Sequence, residues 1–209
     1  WLNRLKNIKR NKKSIPNLTE ISETILEIFC YIPHMEWLKD NISREALSAY
    51  EIGYFGLTNQ ITIPHRDCNN RLIGIRGRYL DEEDIQNIGK YVPLNIQGKT
   101  LSHSLGSNLY GINVTQNKIK NIKKVMVVEA EKSCMQAYSY FGEDSFVVAT
   151  CGSSITRTQI RLLLNYLQVD EIIYAPDRDY HDPFSYEAEV WYQKIVKRVA
   201  PLVLILNTT

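Results

Sequence analysis

The feature that most constrains the fold is an alternation of apolar runs and helical segments that begins near Lys124. Short continuous apolar runs are typical of strands that are buried on both faces of a sheet. These runs lie at 125–128, 146–149, 171–175 and 202–206. Segments with helical spacing lie between them at 132–141, 156–166 and 185–199, and Thr156 is suited to capping the second of these. This strand–helix alternation predicts a compact α/β fold around a mostly parallel sheet.

Acidic residues directly follow the first and third predicted strands. Glu129 ends the first strand, and Asp177 and Asp179 come after the third. Parallel sheets bind ligands at the carboxyl ends of their strands, and residues two apart in an extended chain face the same way. Converging carboxylates repel one another unless a hard cation such as Mg²⁺ or Mn²⁺ bridges them. Any one of these acids could instead cap a helix or face water. Their shared position at one edge of the predicted sheet favours a metal site.

Charge is distributed unevenly along the chain, although the net charge is only +2. Residues 1–124 contain 18 lysines and arginines against 12 acidic residues, whereas residues 125–209 contain 7 against 11. A basic half followed by an acidic half fits a part that binds a polyanion and a part that binds cations. Chance is the alternative, since differences of a few charges are common.

The first half predicts a mixed α+β arrangement. Apolar spacing predicts a helix over 18–29, and Ser43 is suited to capping a second, short helix. Two β-prone runs separated by turn residues predict a hairpin over 60–79. Further extended segments are predicted at 90–94 and 108–112.

The predicted hairpin carries a cluster of arginines. Arg71 begins its second strand, and Arg76 and Arg78 lie two residues apart further along it. Gly74 and Gly77 remove neighbouring side chains, so a phosphate backbone is expected to approach closely while the arginines donate hydrogen bonds. A solvated polar face is the alternative interpretation.

Three short motifs resemble those of the Toprim domain. Val127–Lys132 resembles its first motif, usually an apolar strand that ends in Glu-Gly. Cys151–Ser154 resembles the small-residue loop after the second strand of that fold, and Asp177–Asp179 resembles its Asp-x-Asp motif. The resemblance implies a Rossmann-like α/β Toprim domain that has a mostly parallel sheet and holds divalent metal ions.

The first half makes the resemblance more specific. Ile63–Asp67 and Asn70–Arg78 resemble the hairpin of bacterial, DnaG-type primase catalytic cores. Lys90–Tyr91 and Leu109–Ile112 resemble the Lys-Tyr and Leu-Tyr-Gly-Leu elements of those cores. The resemblance covers most of residues 40–206 in the primase order, and the phage or mobile-element branch is the most similar.

The resemblance implies a DNA primase core, a nucleotidyltransferase that builds RNA primers for DNA replication from ribonucleoside triphosphates on a single-stranded DNA template. By this resemblance Glu129, Asp177 and Asp179 are catalytic and hold Mg²⁺ or Mn²⁺. A second set of basic and aromatic residues is expected to hold template, primer or triphosphate. This set comprises Arg66, Arg71, Arg76, Arg78, Lys90 and Tyr91. A replicative helicase is a further expected partner.

The resemblance divides the chain into three parts. Residues 1–16 are predicted to be a basic arm or linker, 17–122 an α+β basic nucleic-acid-binding subdomain, and 123–209 a C-terminally truncated Toprim domain. The first residue is Trp1 rather than Met, so we expect a piece of a longer protein. We also expect this piece to synthesise primers weakly by itself, without an upstream zinc module and the last acidic motif.

Departures from the family pattern keep two alternatives open. Ala130 stands where the Toprim motif has Gly, and Arg178 stands where a small residue separates the aspartates. Residues 102–108 lack the lysine that primase cores carry before Leu-Tyr-Gly. One alternative is another Toprim enzyme, either a nuclease or a topoisomerase-like enzyme. The other is a catalytically degenerate adaptor that binds single-stranded DNA or a helicase.

The cysteines show no metal-ligand spacing. Cys30, Cys68, Cys134 and Cys151 therefore predict reduced thiols in a cytoplasmic protein and no zinc site within the chain. The histidines are isolated and are expected to be structural or exposed. The longest apolar stretch, near 201–206, is too short to span a bilayer, and no secretory leader opens the sequence, so no membrane association is expected.

Overall fold

The computed structural model describes residues 16–175, 177, 182 and 184–199. Most of the predicted basic arm, Asp179 and the predicted strand at 202–206 lie outside the described residues. Within the described part, none of the helices is both long enough and apolar enough to cross a membrane.

The described part contains nine strands and seven α-helices. The strands are β1 (Gly53–Phe55), β2 (Gln60–Arg66), β3 (Leu72–Tyr79), β4 (Tyr91–Pro93), β5 (Asn95–Ile96), β6 (Lys99–Thr100), β7 (Lys124–Val128), β8 (Val147–Ala149) and β9 (Glu171–Ala175). The α-helices are α1 (Met35–Lys39), α2 (Arg44–Ala49), α3 (Glu82–Asn87), α4 (Ile112–Ile122), α5 (Glu131–Phe141), α6 (Arg157–Arg161) and α7 (Tyr186–Val199).

The second half forms the predicted parallel sheet, in the order β8-β7-β9. β7 is central: Val125 and Val127 are fully buried on one face and Val128 is buried on the other, as expected for a strand that is covered on both faces. Thr156 caps α6 through a capping box with Gln159, as the sequence predicts, and a π-helical turn, Leu162–Tyr166, continues the helix. The predicted α/β, Toprim-like fold class is confirmed.

The first half contains an antiparallel sheet in the order β1-β2-β3-β4. β2 and β3 form the predicted hairpin, with Ile63 opposite Arg76. In its turn, Oδ1 of Asp67 accepts hydrogen bonds from the backbone N–H groups of Asn69 and Arg71 at 2.9 and 3.0 Å. A short polar side chain that bonds its own backbone in this way stabilises the turn.

The helix predicted over 18–29 is wrong in type and extent. The structure has a short 3₁₀ helix, Glu23–Ile28, beside the hairpin. The backbone N–H of Ile21 donates to the carbonyl of Leu72 at 2.8 Å, so the segment hydrogen-bonds to β3 instead of continuing a helix. Leu26 packs with Leu72 in a small apolar cluster, which shows that tertiary contacts override the helical spacing here.

The extended segment predicted at 108–112 is also only partly correct. Tyr110 forms an isolated bridge with Ala149, at the end of β8. The chain then turns at Gly111, whose φ of +81° is the left-handed conformation that glycine adopts freely, and α4 follows. This helix was not predicted from the sequence.

The two halves share one hydrophobic core. Trp37, Ile61 and Ile63 from the first half are fully buried against Met135 and Ala149 from the second. Burying each large apolar side chain contributes about 1.5–3 kcal/mol, so this shared core fixes the hairpin against the carboxyl end of the parallel sheet.

Candidate functional site

Two of the predicted acidic residues, Glu129 and Asp177, follow strands of the parallel sheet at one edge. Val128, the last residue of β7, pairs in register with Ala175, the last residue of β9. Glu129 is half-buried, and its backbone carbonyl accepts a 2.9 Å hydrogen bond from the N–H of Cys151. Asp177 is exposed two residues beyond Ala175. Glu129 and Asp177 therefore follow adjacent strands at the same edge, and their role as metal ligands stays a prediction.

A buried charge cluster lies next to this edge. Glu131, the first residue of α5, is only 3% exposed. Nη1 of Arg76 donates a 2.5 Å hydrogen bond to its Oε1, and Nε2 of His65 lies 3.3 Å from the same oxygen. Burial alone would raise the pKa of Glu131, but His65 and Arg76 lower it to about 2. Glu131 is therefore a buried carboxylate held in its charged form.

The space beside the glycines of β3 is filled by side chains of the protein itself. A Cβ atom at Gly74 would overlap Nδ1 of His103, and one at Gly77 would overlap the amide of Gln60. Burial, together with the nearby His65 and Arg76, lowers the pKa of His103 to about 3. The interpretation that the glycines let a phosphate backbone approach is wrong, because side chains fill that space.

The guanidinium of Arg66 is hydrogen-bonded entirely within the protein. It makes paired hydrogen bonds with Glu51 at 2.5 and 2.9 Å and with Glu23 at 2.7 and 2.7 Å. A fifth bond, at 2.8 Å, reaches the carbonyl of Asn70. These bonds use all five N–H donors of the side chain, which is 7% exposed. Its assignment to nucleic-acid binding stays a prediction, and this geometry does not support it.

The other hairpin arginines also pair with acids. Arg71, at the turn, bonds Asp67 at 2.6 Å and is 31% exposed, and Arg78 bonds Glu36 at 2.5 Å and is 11% exposed. Each guanidinium is therefore neutralised within the chain before any ligand binds.

Strand β4 brings Lys90 and Tyr91 beside the arginines of β3. Lys90 is exposed just before β4, and Tyr91 pairs in register with Arg78. The Arg76 guanidinium lies 5.5 Å from the centroid of the Tyr91 ring, within cation–π range. The structure thus brings Arg76, Arg78, Lys90 and Tyr91 together, whereas Arg66 and Arg71 lie at the turn end of the hairpin.

Three further residues, His65, Glu131 and Cys151, were not predicted from the sequence, although the fold places their ligand atoms close together. They are far apart along the chain, so no spacing rule points to them. The one available signal was that Glu131 lies two residues after Glu129, inside the first acidic motif.

Comparison with known proteins relates the chain to primases. No protein-family model matches it. It is 40% identical over 188 residues to the SPbeta prophage-derived uncharacterized protein YorJ of Bacillus subtilis, a match that covers 89% of this chain and 49% of that protein. It is 29% identical over 125 residues to a DNA primase of Clostridium acetobutylicum, covering 59% of this chain and 19% of the primase. The chain thus spans about half of the first relative and about a fifth of the second.

Solved structures show the same relationship at the level of the fold. The Aquifex aeolicus primase (zinc-binding and RNA polymerase domains) matches with a TM-score of 0.65 at 17% identity, over 83% of this chain and 49% of that one. A DnaG primase catalytic domain bound to single-stranded DNA matches with a TM-score of 0.63 at 18% identity, over 86% of this chain and 65% of that one. The chain therefore has the fold of a DnaG-type primase catalytic core.

Proposed function

We propose that this chain is a core segment of a DNA primase of the phage or mobile-element branch. It synthesises RNA primers on single-stranded DNA from ribonucleoside triphosphates, as a metal-dependent nucleotidyltransferase. The observation that carries this proposal is the fold of a DnaG-type core whose sheet edge is followed by Glu129 and Asp177. The prophage-derived relative supports the choice of branch.

Glu129, Asp177 and Asp179 would hold Mg²⁺ or Mn²⁺ at this edge. The donor set fits, because carboxylate oxygens that follow adjacent parallel strands suit hard cations, and Asp177 is open to a ligand from solution. A bound divalent ion offsets negative charge on the triphosphate and at the reacting phosphorus. The three carboxylates would hold the ion in position beside the triphosphate.

Nucleic acid and triphosphate would bind along β3 and β4. Lys90 is exposed, and Arg71 is the most accessible of the hairpin arginines, so both offer positive charge to a phosphate. Arg76 and Arg78 would have to exchange a carboxylate for a phosphate, and Tyr91 offers part of its ring for stacking. We propose residues 17–122 as this nucleic-acid-binding subdomain and 123–209 as the metal-binding domain, with a helicase as a further partner.

The paired arginines favour a second candidate, a degenerate core that binds single-stranded DNA or a helicase without synthesis. In such an adaptor the hairpin would keep its internal ion pairs and serve as a scaffold. The wild-type chain would then bind single-stranded DNA and make no primer, with or without Glu129 and Asp177.

The test is a primer-synthesis assay with the full-length natural protein, ribonucleotides, Mg²⁺ or Mn²⁺ and a single-stranded template. Alkali-labile products are expected from the wild type and not from Asp177→Asn. Asp170→Asn is the matched control, because Asp170 is exposed at the opposite end of β9. Activity in Asp177→Asn equal to wild type would refute the proposed site, and no product from a wild type that binds DNA would favour the adaptor.

A further inference from the structure

A second group of ligating side chains lies between the hairpin and the parallel sheet. A ring nitrogen of His65, a carboxylate oxygen of Glu131 and Sγ of Cys151 all lie within 4.8 Å of one another. His65 belongs to β2, Glu131 begins α5, and Cys151 follows β8. None of them is among the acids assigned above to Mg²⁺ or Mn²⁺.

The imidazole of His65 supplies an independent sign of a ligand. His65 is 1% exposed, and its Nε2 makes no hydrogen bond within the part of the chain that the structure describes. The atom has an ionic contact with Glu131 but no aligned hydrogen bond, and a metal–nitrogen bond would satisfy it. The atom lies 3.3 Å from Oε1 of Glu131 and thus faces the other ligands.

The donor set selects the type of metal. Imidazole nitrogen, thiolate sulfur and carboxylate oxygen together suit Zn²⁺, whereas Mg²⁺ and Ca²⁺ prefer oxygen ligands alone. Zn²⁺ binds nitrogen and oxygen at about 2.0–2.2 Å in a tetrahedral arrangement, which separates two such ligands by roughly 3.4 Å. The 3.3 Å between His65 and Glu131 already matches this separation.

Arg76 is compatible with a metal at Glu131. It donates to Oε1, which leaves Oε2 and a lone pair of Oε1 for coordination. A carboxylate ligand that is itself hydrogen-bonded is common around protein metal ions. With Glu131 and a Cys151 thiolate as its two negative ligands, a Zn²⁺ site is neutral and keeps Arg76 as a neighbour.

We propose that His65, Glu131 and Cys151 form a Zn²⁺ site that joins the hairpin to the parallel sheet. On binding, the S–H bond of Cys151 breaks, a Zn–S bond forms, and the proton passes to solvent. A water molecule completes the tetrahedron. The site links elements of both halves, so the bound metal stabilises the folded chain. This inference does not depend on primer synthesis.

The test is titration of the metal-free 209-residue chain with Co²⁺, followed by displacement with Zn²⁺. We expect one thiolate-bound Co²⁺ per chain, seen as a near-ultraviolet thiolate-to-cobalt charge-transfer band that Zn²⁺ abolishes. Zn²⁺ should also raise the melting temperature. Cys151→Ser should lose the band, and His65→Gln should weaken Co²⁺ binding about tenfold or more. A folded wild-type chain that shows no thiolate band would overturn the proposal.

Two control variants test whether the band comes from this site. Cys30→Ser removes an exposed thiol elsewhere and should keep the band. Asp177→Asn removes a carboxylate of the sheet edge and should also keep the charge-transfer band. Loss of the proposed Mg²⁺ site can therefore be distinguished from loss of the Zn²⁺ site. A band of wild-type affinity in Cys151→Ser would assign the thiolate to another cysteine and reject the site.

Discussion

Nη1 of Arg76 on β3 donates a 2.5 Å hydrogen bond to Oε1 of Glu131, the first residue of α5. The carboxylate is 4% exposed and the guanidinium 16%, so the pair is largely shielded from solvent. It connects the hairpin to the helix that begins two residues after Glu129. The position of the acidic edge relative to the hairpin therefore depends on a buried ion pair as well as on the shared apolar core.

Arg76→Met should be strongly destabilising, because it leaves the buried Glu131 without its cation. We expect a loss of about 3 kcal/mol in the free energy of unfolding, measured by urea denaturation of the metal-free chain. Arg44→Met is the control, since Arg44 is exposed, and it should change stability by less than about 0.5 kcal/mol. Equal, small effects of both substitutions would show that the pair is not important for the fold.

Arg66→Lys should destabilise the chain even though the charge is kept. Lysine cannot reproduce the paired hydrogen bonds to Glu23 and Glu51, so we expect a loss of about 2 kcal/mol. Arg71→Lys is the matched control, because Arg71 is more exposed and pairs with one acid, Asp67. Its cost should stay below about 1 kcal/mol in the same denaturation experiment. The reverse order would contradict a structural role for Arg66.

The pairing of Arg66 with Glu23 also predicts a pH dependence. Hydrogen bonds from Arg66 hold the pKa of Glu23 below its ordinary value of 4.5. A carboxyl whose pKa is lowered by folding stabilises the folded state above pH 4.5, and this contribution disappears as the pH falls through the lowered pKa. The stability difference between wild type and Glu23→Gln should therefore be largest near neutral pH and shrink in acid.

Denaturation midpoints across this pH range measure that difference. Glu27→Gln on the same 3₁₀ helix is the control, because Glu27 is exposed, and it should follow the wild type at every pH. A Glu23→Gln effect that is constant with pH would mean that the carboxylate charge does not stabilise the fold.

Gly74→Ala should destabilise the hairpin, because the new Cβ atom would overlap the ring of His103. We expect a cost of about 1–3 kcal/mol in thermal or urea unfolding. The second substitution His103→Ala should remove most of that cost, so the two effects should be strongly non-additive. If the stability changes of the two substitutions simply added, His103 would not contact residue 74 in solution.

Local signals in the sequence were sufficient for most secondary structure. The apolar runs located all three described strands of the parallel sheet, and Ser43 and Thr156 marked the starts of two helices by side-chain capping. The turn between β2 and β3 followed from residues that bond their own backbone, such as Asp67. These features depend on neighbours in sequence, which is why they can be predicted.

Long-range pairings could not be predicted in the same way. Arg66 and Arg78 were assigned to phosphate because acidic partners such as Glu23 and Glu36 lie more than 40 residues away. His103, which fills the open face of Gly74, is likewise not a neighbour of that glycine in the sequence. The position of Glu129 and Asp177 after adjacent strands was predictable only because the topology of a parallel sheet brings strand ends to one edge.

The proposed function depends most on Glu129, Asp177 and Asp179 forming one metal-binding edge. The direct measurement is anomalous scattering from a crystal of the protein soaked in Mn²⁺. We expect a peak between Glu129 and Asp177 at coordination distance from carboxylate oxygens, retained in Asp170→Asn and absent in Asp177→Asn. The folds of both variants should be unchanged. A well-ordered edge without a Mn²⁺ peak, or carboxylates that point to opposite faces of the sheet, would contradict the primase proposal.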